Sequence, residues 1–358
     1  MSVGGVVLLA AAGSNSGGHT GGMQMPPMTG DMWMPMDPPT FARVIGIHLQ
    51  PIPVVPTLTV AALLAYAVGV GILHRRGDKW PVSRTIWWAL GIVTVLGVTA
   101  NGVDGYGMEL FSIHMIQHMM LSMLSPVFLV LGAPITLMLR VLPAGRGRWN
   151  ARRLLLRLVH SGVARFFTHP AVTVVLFLMS LYGLYFTPAF DFLMGRMWGH
   201  NLMLIHFVLI GMLYFWNVMG VDPSPREKSK SLAKIDPTML RLIEIFVTVP
   251  FHAFFGVVVM MSTKLIVNYY HVSMFGIDPM HDQSVGGGIA WAFTELPTLI
   301  VIGALIWEWQ KSDARRATRQ DRQAARDGDA DRMAYNEYLA SLARSDERHD
   351  ARSDSMSR

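Results

Sequence analysis

LFSIHMIQHMMLSMLSPVFLVLGAPITLML, residues 110–139, runs for thirty residues without one Asp, Glu, Lys or Arg. An uncharged apolar run of 18 or more residues reads as a membrane-spanning helix, because only a helix pairs all its backbone polar groups internally in hydrocarbon. At about 1.5 Å per residue this run exceeds a bilayer core of about 30 Å, so it tilts or extends beyond the hydrocarbon. Six more runs have crossing length: 52–73, 85–103, 171–190, 198–221, 239–267 and 288–309, of which 239–267 is again overlong.

Composition agrees. Of 358 residues 52% are hydrophobic and 15% charged, and mean hydropathy is +0.37, well outside the range of a soluble domain. The charge is concentrated after position 310, where 11 Lys/Arg and 10 Asp/Glu fall, leaving long uncharged stretches in the body. The loops assign orientation. Residues 74–84 carry Arg75, Arg76, Lys79 and Arg84, residues 140–170 carry seven Arg and no acid, and the loop after the fifth run carries Arg226, Lys228, Lys230 and Lys234. The alternate loops are nearly bare of Lys and Arg. The positive-inside rule puts the basic loops in the cytoplasm. The expected fold is an all-α integral membrane bundle of seven transmembrane helices, amino terminus outside and carboxy terminus cytoplasmic. The net charge of +6 then reflects topology in the lipid bilayer rather than nucleic-acid binding.

Three regions follow: a Met-rich outer segment over 1–44, the membrane domain over 45–310 and a charged, solvated and partly helical tail over 311–358. Residues 2–12 match the apolar core and small-residue end of a signal peptide but lack a basic start, so a cleaved signal and a misplaced start codon stand as alternatives.

Cysteine is absent, which excludes disulfides, thiolate metal sites and thiol catalysis. Soft-metal chemistry must rest on Met and His. Met23, Met25, Met28, Met32, Met34 and Met36 crowd into fourteen residues, with His19 just upstream. Thioethers are soft neutral donors that suit Cu(I), and they need no deprotonation to bind it. In the third run His114 and His118 are four apart and share a helical face, with Met115 and Met119 beside them. His200 and His206 in the fifth run enter from the same side, and His252 in the sixth lies somewhat deeper. Polar residues in a bilayer are costly and mark function, so these five His read as a metal or cofactor site. Imidazole suits copper, zinc and haem iron alike; the Met bias favours Cu(I). Glu295 in the seventh run is a candidate relay, ligand or helix contact, and Asp282 with Gly286, Gly287 and Gly288 reads as an outer turn of close backbone approach.

The stretches HMIQHMMLSMLSPVFLVLGAPITLMLRVLP (114–143), HNLMLIHF (200–207), FHAFFGVVVM (251–260) and DQSVGGGIAWAFTELP (282–297) occur in an order that resembles the CtaG family over roughly 45–310. Members are multi-span bacterial proteins associated with assembly of caa-type cytochrome c oxidase. The resemblance implies a plasma-membrane protein with a copper-related, non-enzymatic role, partnered by haem–copper oxidase subunits. Its matching positions are His114, His118, His200, His206, His252, Asp282 and Glu295. The Met-rich segment and the charged tail lie outside this resemblance.

The expected function is capture of Cu(I) and its delivery to an oxidase copper centre. Two rivals stand. Paired His on facing helices would also ligate a b-type haem in an electron-transfer protein. A copper importer would need ligands in the inner halves of the spans, which are poor in His. No Ser–His–acid spacing, phosphate loop or HExxH motif supports a hydrolase or transferase.

Overall fold

The computed structural model describes residues 29–143, 145, 150–223, 237–272, 275–326 and 330–356. Among these the chain is helical, with only two isolated β-bridges. After a short helix α1 (Phe41–Ile45), α2 (Val54–Arg75) and α3 (Val82–Thr99) form an antiparallel pair. The turn α4 (Gly102–Tyr106) leads into the long apolar run, which is not one helix. It comprises α5 (Phe111–Met119), a π-helical turn (Met120–Leu124), α6 (Ser125–Leu131) and α7 (Pro134–Val141).

Two prolines explain the interruptions. Pro126 has no N–H to offer the Ser122 carbonyl, and the wider turn lies immediately before it. At the second break Ala133, just before Pro134, adopts the left-handed conformation at φ +50°, which ends α6 and lets Pro134 open a new helix. The overlong run is therefore a crossing from Phe111 to about Gly132 followed by a separate helix. Asp222 caps that helix, accepting from the backbone N–H of Ile135 (3.1 Å) and Thr136 (2.8 Å).

Surface helices α8 (Ala151–Val159) and α9 (Gly162–Phe167) precede α10 (Pro170–Tyr185). Then come α11 (Ala189–Met194), α12 (Met197–Met219), α13 (Pro237–Met261) and α14 (Pro279–Arg326). A last helix, α15 (Ala330–Met356), follows. Six helices among the described residues are long and apolar enough to cross a membrane. Helix α10 is equally apolar, but its 16 residues fall short of a crossing on their own. Large side chains such as Leu58, Leu64 and Val68 on α2 and Phe246 and Phe254 on α13 face outward. Such a surface is unfavourable in water and costs nothing against lipid tails. The tail is helical to Arg326 and again through α15, with its described side chains exposed.

Residues 282–288 are part of α14, not a turn before it, which corrects the reading of Gly286, Gly287 and Gly288 as loop glycines. A helix tolerates three adjacent glycines when a neighbour needs their missing side chains. A Cβ at Gly286 would meet the Phe111 ring at 2.5 Å, and one at Gly287 would strike the Met260 backbone nitrogen.

At one end of the bundle, residues 29–50 fold back over the helix ends. Thr29 bridges Arg196, Trp33 stacks on His48 at 3.6 Å, and Gln50 bonds the backbone of Trp33 at both its N–H and its carbonyl. Tyr106 donates to the Asp37 carbonyl at 2.9 Å. The described end of the Met-rich segment thus belongs to the folded body at the end where α5 and α12 begin.

Candidate functional site

Helix α5 starts where its first N–H groups, those of Phe111 and Ser112, donate to Asp282 Oδ2 at 2.6 and 3.3 Å. A carboxylate there satisfies orphan donors and complements the helix dipole. Asp282 therefore positions the helix that carries His114 and His118. Its neighbour Gln283 accepts from the Ile266 N–H at 2.7 Å and holds the strap between α13 and α14.

The i, i+4 spacing brings His114 and His118 to one partner, the Tyr185 hydroxyl at the end of α10. His114 Nε2 lies 2.9 Å and His118 Nδ1 2.7 Å from that oxygen. All three side chains are buried, and Phe190 and Phe207 complete an aromatic box. The Phe207 ring stacks on His118 at 3.9 Å, and Phe190 meets His114 edge-on at 5.1 Å. One hydroxyl can donate to one imidazole nitrogen while accepting from the other. In the arrangement where His114 Nε2–H donates to Tyr185 and Tyr185 donates to His118, the remaining His114 nitrogen, Nδ1, carries a lone pair.

That Nδ1 is buried and meets no hydrogen-bond partner within the protein. The same holds for Nε2 of His200, on α12, an electrostatic neighbour of His114. Asp104 approaches the same place from α4. Its carboxylate accepts from Gln117 Nε2 at 2.7 Å; burial pushes its pKa above the usual carboxylate range, with the His200 charge opposing. Met115 and Met119 are fully buried on α5.

The other two histidines lie on the far side of the box, as electrostatic neighbours of His118. His206 is exposed on α12 and lies 2.7 Å from Ser180 Oγ. His252 is buried deeper, with Nδ1 2.7 Å from Thr294 Oγ1, beside a cavity of about 20 Å³ lined by Met123, Tyr214 and Thr248. Thr294 already donates to the Ala290 carbonyl, so its oxygen accepts from His252 Nδ1–H. Among the described residues no three His, Asp or Glu side chains converge as a ready metal site. Met32 and Met34 pack against the core, and Met36 is exposed. His19, Met23, Met25 and Met28 lie outside the described residues, as does the Glu295 side chain.

Sequence reasoning passed over Tyr185, Asp104, Gln117 and Glu109. Gln117, between the two His of the quoted run, was the one visible signal. Glu109, just ahead of α5, is only 3% exposed, and both carboxylate oxygens lack a partner within the protein. Burial pushes its pKa from 4.5 up to about 7. A raised folded pKa means that ionisation opposes folding. Stability therefore falls as pH climbs from about 4.5 through 7 and levels off above. Thermal unfolding of the purified chain in detergent is expected to show this decline. Glu109→Gln is expected to flatten it, with the two proteins converging below pH 4.5.

The comparisons with known proteins follow the same stretches. The chain is 42% identical over 313 residues to uncharacterized proteins of Mycobacterium bovis and Mycobacterium tuberculosis, covering 86% of this chain and 46% of each relative. A Mycobacterium leprae protein, also uncharacterized, is 42% identical over 289 residues, 78% of this chain and 42% of that protein. The chain thus spans about half the length of the curated relatives it matches. No solved structure matches it. Bacterial relatives and apolar helices together describe a multi-pass protein of the plasma membrane. Residues 64–312, which hold the Tyr185-centred box, Asp282 and the glycines of α14, match the family model for the cytochrome c oxidase caa3 assembly factor, and the chain belongs to that family, Caa3_CtaG.

Proposed function

We propose that this chain assists assembly of a haem–copper oxidase by holding Cu(I) between His114 and His200 and passing it to the oxidase copper centre. The observation that carries this reading is the pair of buried imidazole nitrogens, His114 Nδ1 and His200 Nε2, that no protein group satisfies. Burying an unpaired polar atom costs about 1–3 kcal/mol, so two such atoms on electrostatically neighbouring rings favour a ligand. Imidazole nitrogens suit copper, and the buried thioethers of Met115 and Met119 on the same helix favour its reduced state. Tyr185 behind His114 acts as the outer partner that fixes a ligating ring, and Asp104 is placed to do the same for His200. The Met-rich segment, stitched to this end through Thr29 and Trp33, supplies capture.

The topology that goes with this reading has seven crossings, α10 extended by the following turn being the fourth. The amino terminus is outside and the basic loops are cytoplasmic. The ligand pair then lies in the outer half of the bundle, on the side where an oxidase subunit would receive the ion. Labile soft-donor exchange fits a delivery role better than catalysis.

The test is copper and haem content of the full chain, purified in detergent under reducing conditions. The wild-type chain is expected to bind copper. His114→Ala and His200→Ala should each weaken that binding about 100-fold, the upper end of the effect of losing even an outer-sphere partner. His206→Ala, whose ring faces Ser180, should stay within about twofold of wild type. Unchanged copper in both the His114 and His200 variants would overturn the reading, as would a Soret band without copper.

A further inference from the structure

At the opposite, basic end of the bundle an open pocket of about 350 Å³ lies where α2 and α7 finish and α8 begins. Its walls include Arg76 at the end of α2, Arg140 on α7 and Arg152 on α8, with Asp78 the one acid among them and Thr136, whose hydroxyl donates to Asp222. We propose that this pocket binds the phosphate headgroup of an anionic phospholipid from the adjacent leaflet, an inference independent of the copper reading.

The guanidinium groups are held in place. Arg76 donates one N–H to the Val141 carbonyl at 2.8 Å, and Arg140 donates one to the Lys79 carbonyl at 3.2 Å while lying over the Trp80 ring at 5.7 Å. Each guanidinium has five N–H donors, so most remain for phosphate oxygens, and their positions are fixed before a ligand arrives. Arg152 adds a buried Nε that meets no partner within the protein. Three cations against the Asp78 carboxylate in the wall and the Asp222 carboxylate behind Thr136 still leave the pocket a net positive field, matched by a phosphodiester.

The flanking surface says where that phosphodiester comes from. Helix α8 presents Leu154 and Leu158, four residues apart on one face, and both are exposed. Val163 and Phe166 on α9 continue the exposed apolar surface. A short helix with Arg on one side and Leu on the other lies in the plane of a bilayer surface. A lipid seated there places its acyl chains along this apolar surface and its phosphate among Arg76, Arg140 and Arg152. A soluble phosphate would leave the apolar part unused.

The test uses the full chain in neutral detergent, offered phosphatidylglycerol or phosphatidylcholine with the same acyl chains, and retained lipid read by native mass spectrometry. Each basic side chain near a headgroup is worth about fivefold in affinity. Wild type should prefer phosphatidylglycerol, and Arg140→Gln with Arg152→Gln should reduce its retention about twentyfold, toward that of phosphatidylcholine. Should the double variant fail to fold, Arg152→Gln alone is expected to lower retention about fivefold, since its Nε supports no internal hydrogen bond. Equal retention of the two lipids by wild type would overturn the proposal, and so would unchanged retention in Arg152→Gln. Displacement of phosphatidylglycerol by millimolar inorganic phosphate would also overturn it, by making this a soluble-anion site.

Discussion

Tyr185→Phe is expected to destabilise the folded chain by about 2 kcal/mol while leaving the backbone of the bundle in place. One oxygen serves two histidines on a neighbouring helix, at 2.9 and 2.7 Å, in a box with no exposed surface. Removing it costs two hydrogen bonds and leaves only the space of one oxygen atom. Two magnitudes compete. In a water-soluble core each stranded polar atom would cost about 1–3 kcal/mol. In membranes the unfolded helices also find partners, and interhelical hydrogen bonds average only about 0.6 kcal/mol. The dry aromatic surround, with Phe190 and Phe207 against the rings, puts this site between those limits. Reversible unfolding of the wild type, Tyr185→Phe, His118→Ala and the double variant would isolate the shared term. A coupling energy of about 1 kcal/mol or more is expected. Additive losses would mean that the hydroxyl does not tie α10 to α5.

This contact was invisible in the sequence. The spacing of His114 and His118 correctly put both on one face, because helical periodicity is local. What they face is set by α10, 67 or more residues away, and nothing in LFLMSLYGLY distinguishes Tyr185 from Tyr182, which instead donates to the Phe251 carbonyl. Depth alone also grouped His200 with His206. Six residues turn a helix by about 600°, so the two rings leave α12 about 120° apart, one buried and one exposed. The crossings were legible because hydrocarbon thickness imposes a length on uncharged runs. The exception is instructive: α10 forms only 16 helical residues, and the apolar residues beyond it become a turn and α11. Glu109 stood in plain sight as a carboxylate ahead of a span. Its electrostatic neighbour is Tyr269 in the strap after α13, whose hydroxyl is likewise buried without a partner.

Gly287→Val is expected to abolish accumulation of folded protein, a loss of at least about 3 kcal/mol, whereas Gly288→Ala is expected to be neutral or slightly stabilising. Helices α13 and α14 touch backbone to backbone through a reciprocal pair. A Cβ on Gly256 would sit 2.8 Å from the Gly287 carbonyl oxygen, and one on Gly287 would sit 2.8 Å from the Gly256 carbonyl oxygen. Small residues permit this approach, and close van der Waals contact drives helix association where water does not. A valine could fit only if α14 moved away from α13. Retreat is blocked on its other side, where the space a Gly286 Cβ would need is already filled by the Phe111 ring and the Ser112 backbone. Gly288 is different: its Cβ would meet only Met260 Sδ at 3.7 Å, an ordinary contact, and alanine is the better helix former. Yield and monodispersity after detergent extraction, with thermal unfolding of whatever survives, distinguish the two. Equal behaviour of the Gly287 and Gly288 variants would contradict this packing. The consequence extends to the site, because the helix wedged between α13 and α5 also carries Asp282, whose carboxylate fixes the first turn of α5. A Gly287 variant that did survive extraction would therefore have a displaced α5, and with it a displaced His114. Its copper content should fall even though no ligand has been changed.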